Sequence, residues 1–161
     1  MIDKILNIER LEYNSNLTIQ DFKNKLDKIF NQGTFKFKYN LSGRFINDYE
    51  FKATDKWTLG VYIRGYENDP AYLKGKIKET SNGLIVNVTV RPNTIFSIFG
   101  FLFPIAGIFA LFATGFGSTT EDGLIAGLTF IVIGLIFYPL GRFLRNRLRN
   151  KFEHYLDLKR E

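Results

Sequence analysis

Tyr62 and Arg64, followed after a short gap by Lys74, Lys76 and Lys78, are the residues of this chain whose types and spacing suit a chemical task. They occupy alternate positions, so extended strands would turn them to one face. A guanidinium fork grips two phosphate oxygens at once, and an adjacent ring can stack on a planar group. Such a face suits a small anionic ligand that carries phosphate on a planar body, a nucleotide for example. Two other readings stay open: alternate lysines on a solvated strand face, and a basic surface resting on anionic lipid.

Other chemistry is scarce. The chain has one histidine, His154, set among the charges of the C-terminal tail, and no cysteine. A transition-metal site and a thiol nucleophile are therefore not expected. No glycine-rich phosphate loop with its lysine follows a strand pattern. Carboxylates are scattered, and Asp48, Glu50, Glu67 and Asp69 read as turn residues at strand ends. The expectation is a non-enzymatic protein without a cofactor.

A second basic cluster has a different setting. Arg142, Arg145, Arg147 and Arg149 come directly after a stretch, Gly123 to Gly141, that contains no charge. A second uncharged stretch runs from Pro92 to Thr120, and only Glu121 and Asp122 separate the two. A bilayer core about 30 Å thick needs roughly 20 apolar helical residues. Both stretches meet or nearly meet that length. Positive flanks stay cytoplasmic, and the loop "GFGSTTEDG" carries no lysine or arginine. Two spans with both termini in the cytoplasm follow, in the inner membrane, with the four arginines at lipid headgroups. No ionisable residue lies inside either span, which speaks against a transporter-like ion path. The start, "MIDKILNIERLEYNSN", lacks an apolar core and does not read as a signal peptide.

The elements that would position the first cluster lie in residues 1–91, expected to form a cytosolic α+β domain. "LTIQDFKNKLDKIFNQG" reads as an amphipathic helix, capped at Thr18 with Asp21 and stopped by Gly33. "TFKFKYNL", "YEFKAT", "TLGVYIRGY", "AYLKGKIKET" and "LIVNVTVRP" alternate as strands. They predict an antiparallel meander of about five strands, curved or barrel-like, with the helix on its apolar face. A two-residue Asn82-Gly83 turn would pair Lys78 with Asn87 and Ile77 with Val88. Val61, Ile63, Leu73, Ile77, Val86, Val88 and Val90 then share the apolar face.

Residues 92–141 form the expected hairpin, joined to the last strand without a linker, with Asn93 or Thr94 as helix cap. Matching depth from the cytoplasmic side sets Gly100 opposite Gly134 and Gly107 opposite Gly127. Pro104 interrupts the first span and reads as a hinge or as an ordinary membrane proline. Gly123-Leu-Ile-Ala-Gly127 would serve a homo-oligomer. Residues 142–161 read as a basic cytosolic helix whose apolar stripe docks on the domain or on a second copy.

The stretch from "NLTIQDFKNKL" through "LSGRFINDYEF" and "LKGKIKETSNGLIVNVTVRPN" into the first span resembles an uncharacterised family of small bacterial membrane proteins. There a short α+β segment ends in a G-x-I…NG…R-P hairpin and runs into a transmembrane pair. In architecture alone the chain is similar to the nucleotide-gated membrane effectors of antiphage systems, although there the soluble part follows the spans. That likeness implies a sensor or effector, with a cyclic nucleotide as ligand. A structural scaffold that docks proteins at the membrane is the alternative. Membrane lipids are the expected partners, and no nucleic-acid polymer is.

Overall fold

The computed structural model describes residues 2–31, 39–55, 69–81, 83–115 and 121–158. The chain is α+β: a five-stranded antiparallel sheet with helices, followed by two long apolar helices. A short helix α1 (Ile2–Ile5) leads into β1 (Glu9–Ser15), then α2 (Ile19–Phe30), β2 (Leu41–Asn47), β3 (Glu50–Asp55), β4 (Ala71–Thr80) and β5 (Gly83–Pro92). The apolar helices are α3 (Thr94–Gly115) and α4 (Glu121–Leu156).

Strand order is β1-β5-β4-β3-β2, an open sheet and not a barrel. Strands β2 to β5 run as a meander, in which β3, β4 and β5 correspond to the expected "YEFKAT", "AYLKGKIKET" and "LIVNVTVRP", whereas β2 shares only Leu41 with the expected "TFKFKYNL". β1, which was not anticipated, returns to the far side of β5 through the connection carrying α2. Its sequence offers little apolar alternation, only Leu11 and Tyr13 between charged and polar neighbours. The expected strand "TLGVYIRGY", with Tyr62, Arg64, Val61 and Ile63, lies outside the described residues, as do Gly33 and most of "TFKFKYNL".

The β4–β5 hairpin is correct in its faces and shifted in its register. Thr80 pairs with Gly83, Lys78 with Ile85 and Ile77 with Val86, so the last pair before the turn is Thr80 with Gly83 and not Ser81 with Leu84. Gly83 holds the turn at φ +132°, a conformation that side chains avoid. A change of two in pairing leaves each residue on its own side, because side chains alternate with a period of two. Leu73, Ile77, Val86, Val88 and Val90 are buried as the pattern required, and Ala71 is buried with them.

Helix α2 is capped by the Thr18 side chain, which accepts the Asp21 backbone N–H at 3.2 Å, and it buries Phe22, Leu26 and Ile29. It ends at Phe30, where the Asn31 N–H donates to the Asp27 carbonyl. The apolar face of the sheet has a second cover. Leu148, Phe152 and Leu156 of α4 are at most 2 % exposed and lie in the same core. Phe152 stacks on Phe51 of β3 at 5.7 Å between ring centres. The sheet therefore stays open because two helices, and not its own curvature, close its apolar side.

α4 is one continuous helix of 36 residues, so no break falls at Arg142. Its first half and α3 are long and apolar enough to cross a membrane. Their outward side chains are bare, with Phe109 70 % and Leu135 64 % exposed, unlike the core helices of a water-soluble protein.

The C-terminal half of α4 is thus a core element. Phe152→Ala should cost about 3–5 kcal/mol, read as a shift of the denaturant midpoint. A fragment ending at Arg91 lacks this layer and should show no cooperative melting. Cooperative melting of that fragment would contradict the assignment.

Candidate functional site at the junction of sheet and hairpin

The outward face of the sheet carries the basic residues. Lys74, Lys76 and Lys78 are exposed there, opposite in direction to the buried Leu73, Gly75 and Ile77. Their expected companions Tyr62 and Arg64 lie outside the described residues. Glu50 of β3, expected in a turn, stands between two of the lysines, 2.9 Å from Lys74 and 2.8 Å from Lys76. Hydrogen bonds from Lys76 and Lys74 pull its carboxyl down to about 2. Two of the three lysines therefore share one carboxylate, which offsets a single positive charge.

Cross-strand register adds residues that no single stretch of sequence singles out. Arg44 pairs with Lys52, Lys52 with Lys74, Lys74 with Thr89, and Thr89 with Arg10. One row across the sheet thus holds four cations and a threonine. Beside the row is a recess of about 260 Å³ lined by Ser42, Gly43, Arg44, Lys52, Ala53, Thr54, Asp69 and Tyr72. Arg91 lies over the Tyr72 ring at 5.0 Å, and the Tyr72 hydroxyl accepts the Asp69 backbone N–H. Burial pushes the Asp69 carboxyl above its ordinary range, a hydrogen bond with Thr54 opposes this, and Asp55 adds to it.

The opposite face is tied to α4 by charge. Asp55 closes β3 with its side chain 1 % exposed, and both Arg147 and Lys151 reach it at 2.7 Å. Glu9 of β1 receives Arg149 at 2.6 Å and Arg145 at 3.4 Å. The Tyr13 hydroxyl donates to Glu153 at 2.6 Å. Arg145, Arg147 and Arg149, expected at lipid headgroups, thus each reach a carboxylate of the sheet domain. A buried carboxylate is costly unless paired, and these arginines are the groups that pair it. Arg142 is exposed at the start of this segment.

A collar of N-terminal residues surrounds the point where both helices leave the domain. The Tyr138 hydroxyl donates to the Lys4 carbonyl at 2.8 Å, and the Ser97 hydroxyl to the Leu6 carbonyl at 2.9 Å. Asn7, buried and at φ 57°, donates from its amide to the Tyr138 carbonyl and accepts from Arg145 on its own carbonyl. Asn93 makes the joint between β5 and α3. Its side-chain oxygen caps the Ile95 N–H, and its amide donates to the Asp69 carbonyl.

Within the hairpin, Gly107 and Gly127 face each other as expected. A Cβ at Gly107 would stand 2.5 Å from the Gly127 carbonyl oxygen. Gly100 and Gly134 do not pair. A Cβ at Gly100 would meet Tyr138, and one at Gly134 would run into the ring of Pro104. Around Pro104 the contacts run about one turn off the depth-matched register, Gly100 against Tyr138 and Pro104 against Gly134, while Gly107 touches both Gly127 and Ile131. Pro104 sits within a continuous α3 and fills the notch at Gly134. Since Gly127 is used inside the hairpin, the GxxxG pattern acts first within one chain.

His154 lies beside Tyr155 with its ring centre 5.7 Å away, and no group of three metal-ligating side chains occurs among the described residues. No family profile, no curated protein and no solved structure matches the chain.

Gly134→Leu should force α3 and α4 apart and lower the melting temperature in detergent, whereas Leu135→Ala, on the bare side, should change it little. Equal tolerance of both would refute the Pro104 notch. Asp55→Asn should destabilise the protein by about 3 kcal/mol, since it leaves two cations facing a neutral group in a buried position. Urea titration of both forms checks this.

Proposed function

We infer that this is a non-enzymatic two-span protein of the bacterial inner membrane with both termini in the cytoplasm. Its sheet domain takes up an anionic ligand and passes that event to the hairpin, as a sensor or effector does. The observation that supports this reading is the double use of α4: one unbroken helix is apolar span in its first half and sheet core in its second. The Asn93 joint supports it as well, because β5 enters α3 with one capped residue between them. Displacement of the sheet would therefore move both helices, with no flexible linker to absorb it. The basic flank after Gly141 and the uncharged or acidic loop before Gly123 support the orientation.

Topology is tested with reporters that work only outside the cytoplasm. One fused after Glu161 should be silent, and one inserted at Ser118 should be active. The reverse pattern would overturn the orientation. Dye entry into cells that overproduce the protein tests the effector reading. Wild-type protein should admit dye, and Asp55→Asn at equal abundance should not, because its sheet is loosened from α4. A membrane that stays sealed around abundant wild-type protein would reject the effector in favour of a docking scaffold.

A further inference from the structure

We propose that the row Arg44, Lys52 and Lys74, with the recess beside it, is a phosphate-binding site. The proposal rests on the anionic-ligand reading above, keeps Lys74 and moves the centre to Arg44 and Lys52, which that reading had not included. Like charges set directly opposite on neighbouring strands repel, and a sheet without a use for them usually alternates their sign. Here Arg44, Lys52 and Lys74 are in direct register. Lys74 shares Glu50 with Lys76, while Arg44 and Lys52 have no carboxylate partner among the described residues.

The strands are about 4.8 Å apart, so the three cations rise side by side from neighbouring strands. The recess is lined by Ser42, whose hydroxyl suits a phosphate oxygen, and by Thr54, whose hydroxyl donates to the Ala71 carbonyl at 2.9 Å, and its volume of about 260 Å³ admits a compact anion. Arg44 supplies the forked donor that fits two oxygens at once. Thr54 directly precedes Asp55, and Lys52 lies three positions before it; Asp55 holds Arg147 and Lys151 on the other face. An anion on the outer face would thus bear on the same strand end that anchors α4.

The same phosphate chemistry has two sources, a soluble phosphate compound and a lipid headgroup. The test uses the full chain in nanodiscs of phosphatidylcholine, with and without phosphatidic acid, and inorganic pyrophosphate as the soluble probe. Arg44→Gln and Lys52→Gln should each weaken binding about tenfold or more, the usual loss for one charged hydrogen bond. Lys78→Gln removes the same charge from the same face away from the recess and should change binding less than about twofold, its contribution being long-range and screened. Glu50→Gln releases Lys74 and should tighten binding, an effect that misfolding cannot imitate. Pyrophosphate binding in pure phosphatidylcholine with this pattern assigns a soluble ligand. Thermal stabilisation by phosphatidic acid alone with the same pattern assigns a lipid headgroup. Equal losses in all three cation variants, weakening in Glu50→Gln, or no response to either probe would overturn the site. Binding is read here without reference to the hairpin, so loss of the site leaves the dye-entry result to judge the coupling by itself.

Discussion

Covering the apolar face of the sheet is the constraint from which the rest of the structure follows. Five strands at about 4.8 Å make a surface roughly 20 Å wide, and a helix with its side chains is about 10 Å across. One helix cannot seal it. α2 lies on β2, and α4 lies on β4 and β5. The second cover is the C-terminal half of a helix whose first half is long and apolar enough to cross a membrane. Folding of the domain and placement of the hairpin are therefore one event, since the sheet has no complete core until residues 144–158 have returned to it.

Electrostatics sets how that helix lies. Asp55 on β3 and Glu9 on β1 stand at the same end of the sheet, with β4 and β5 between them, and each receives two cations from α4. Hydrophobic burial is non-directional and would tolerate sliding or rotation of the helix. A carboxylate 1 % exposed would not, because any displacement leaves a charge without its partner in a poorly solvated place. Basic residues that in a simpler protein would rest on headgroups here fix the angle and depth at which the helix leaves the domain.

The two apolar helices are held together by different physics. Lipid tails compete equally for apolar side chains, so association in a bilayer depends on shape. The Pro104 ring in the Gly134 notch and the close approach of Gly107 to Gly127 provide that shape. Phe99, Phe103 and Phe137 fill the wider part of the interface, with ring centres 4.7 to 6.3 Å apart. Where both helices meet the sheet, the collar of Lys4, Leu6 and Asn7 satisfies polar groups at the junction.

By itself the sequence determined what depends on local pattern. The two uncharged runs, the Thr18 cap, the alternation along β4 and β5 and the amphipathic face of α2 each rest on residues close together in the chain. The faces of the β4–β5 hairpin survived a wrong turn assignment because alternation has a period of two. Tertiary structure decided what depends on partners far apart. Arg147 and Asp55 are separated by 92 positions, and no local signal distinguishes an arginine bound for a carboxylate from one bound for lipid. β1 has little apolar pattern of its own, and it is a strand because β5 offers it an edge. The notch for Pro104 and the row through Arg44, Lys52 and Lys74 exist only once two helices, or three strands, are brought into register. Register is a property of pairs of segments, and a sequence read along one line does not contain it.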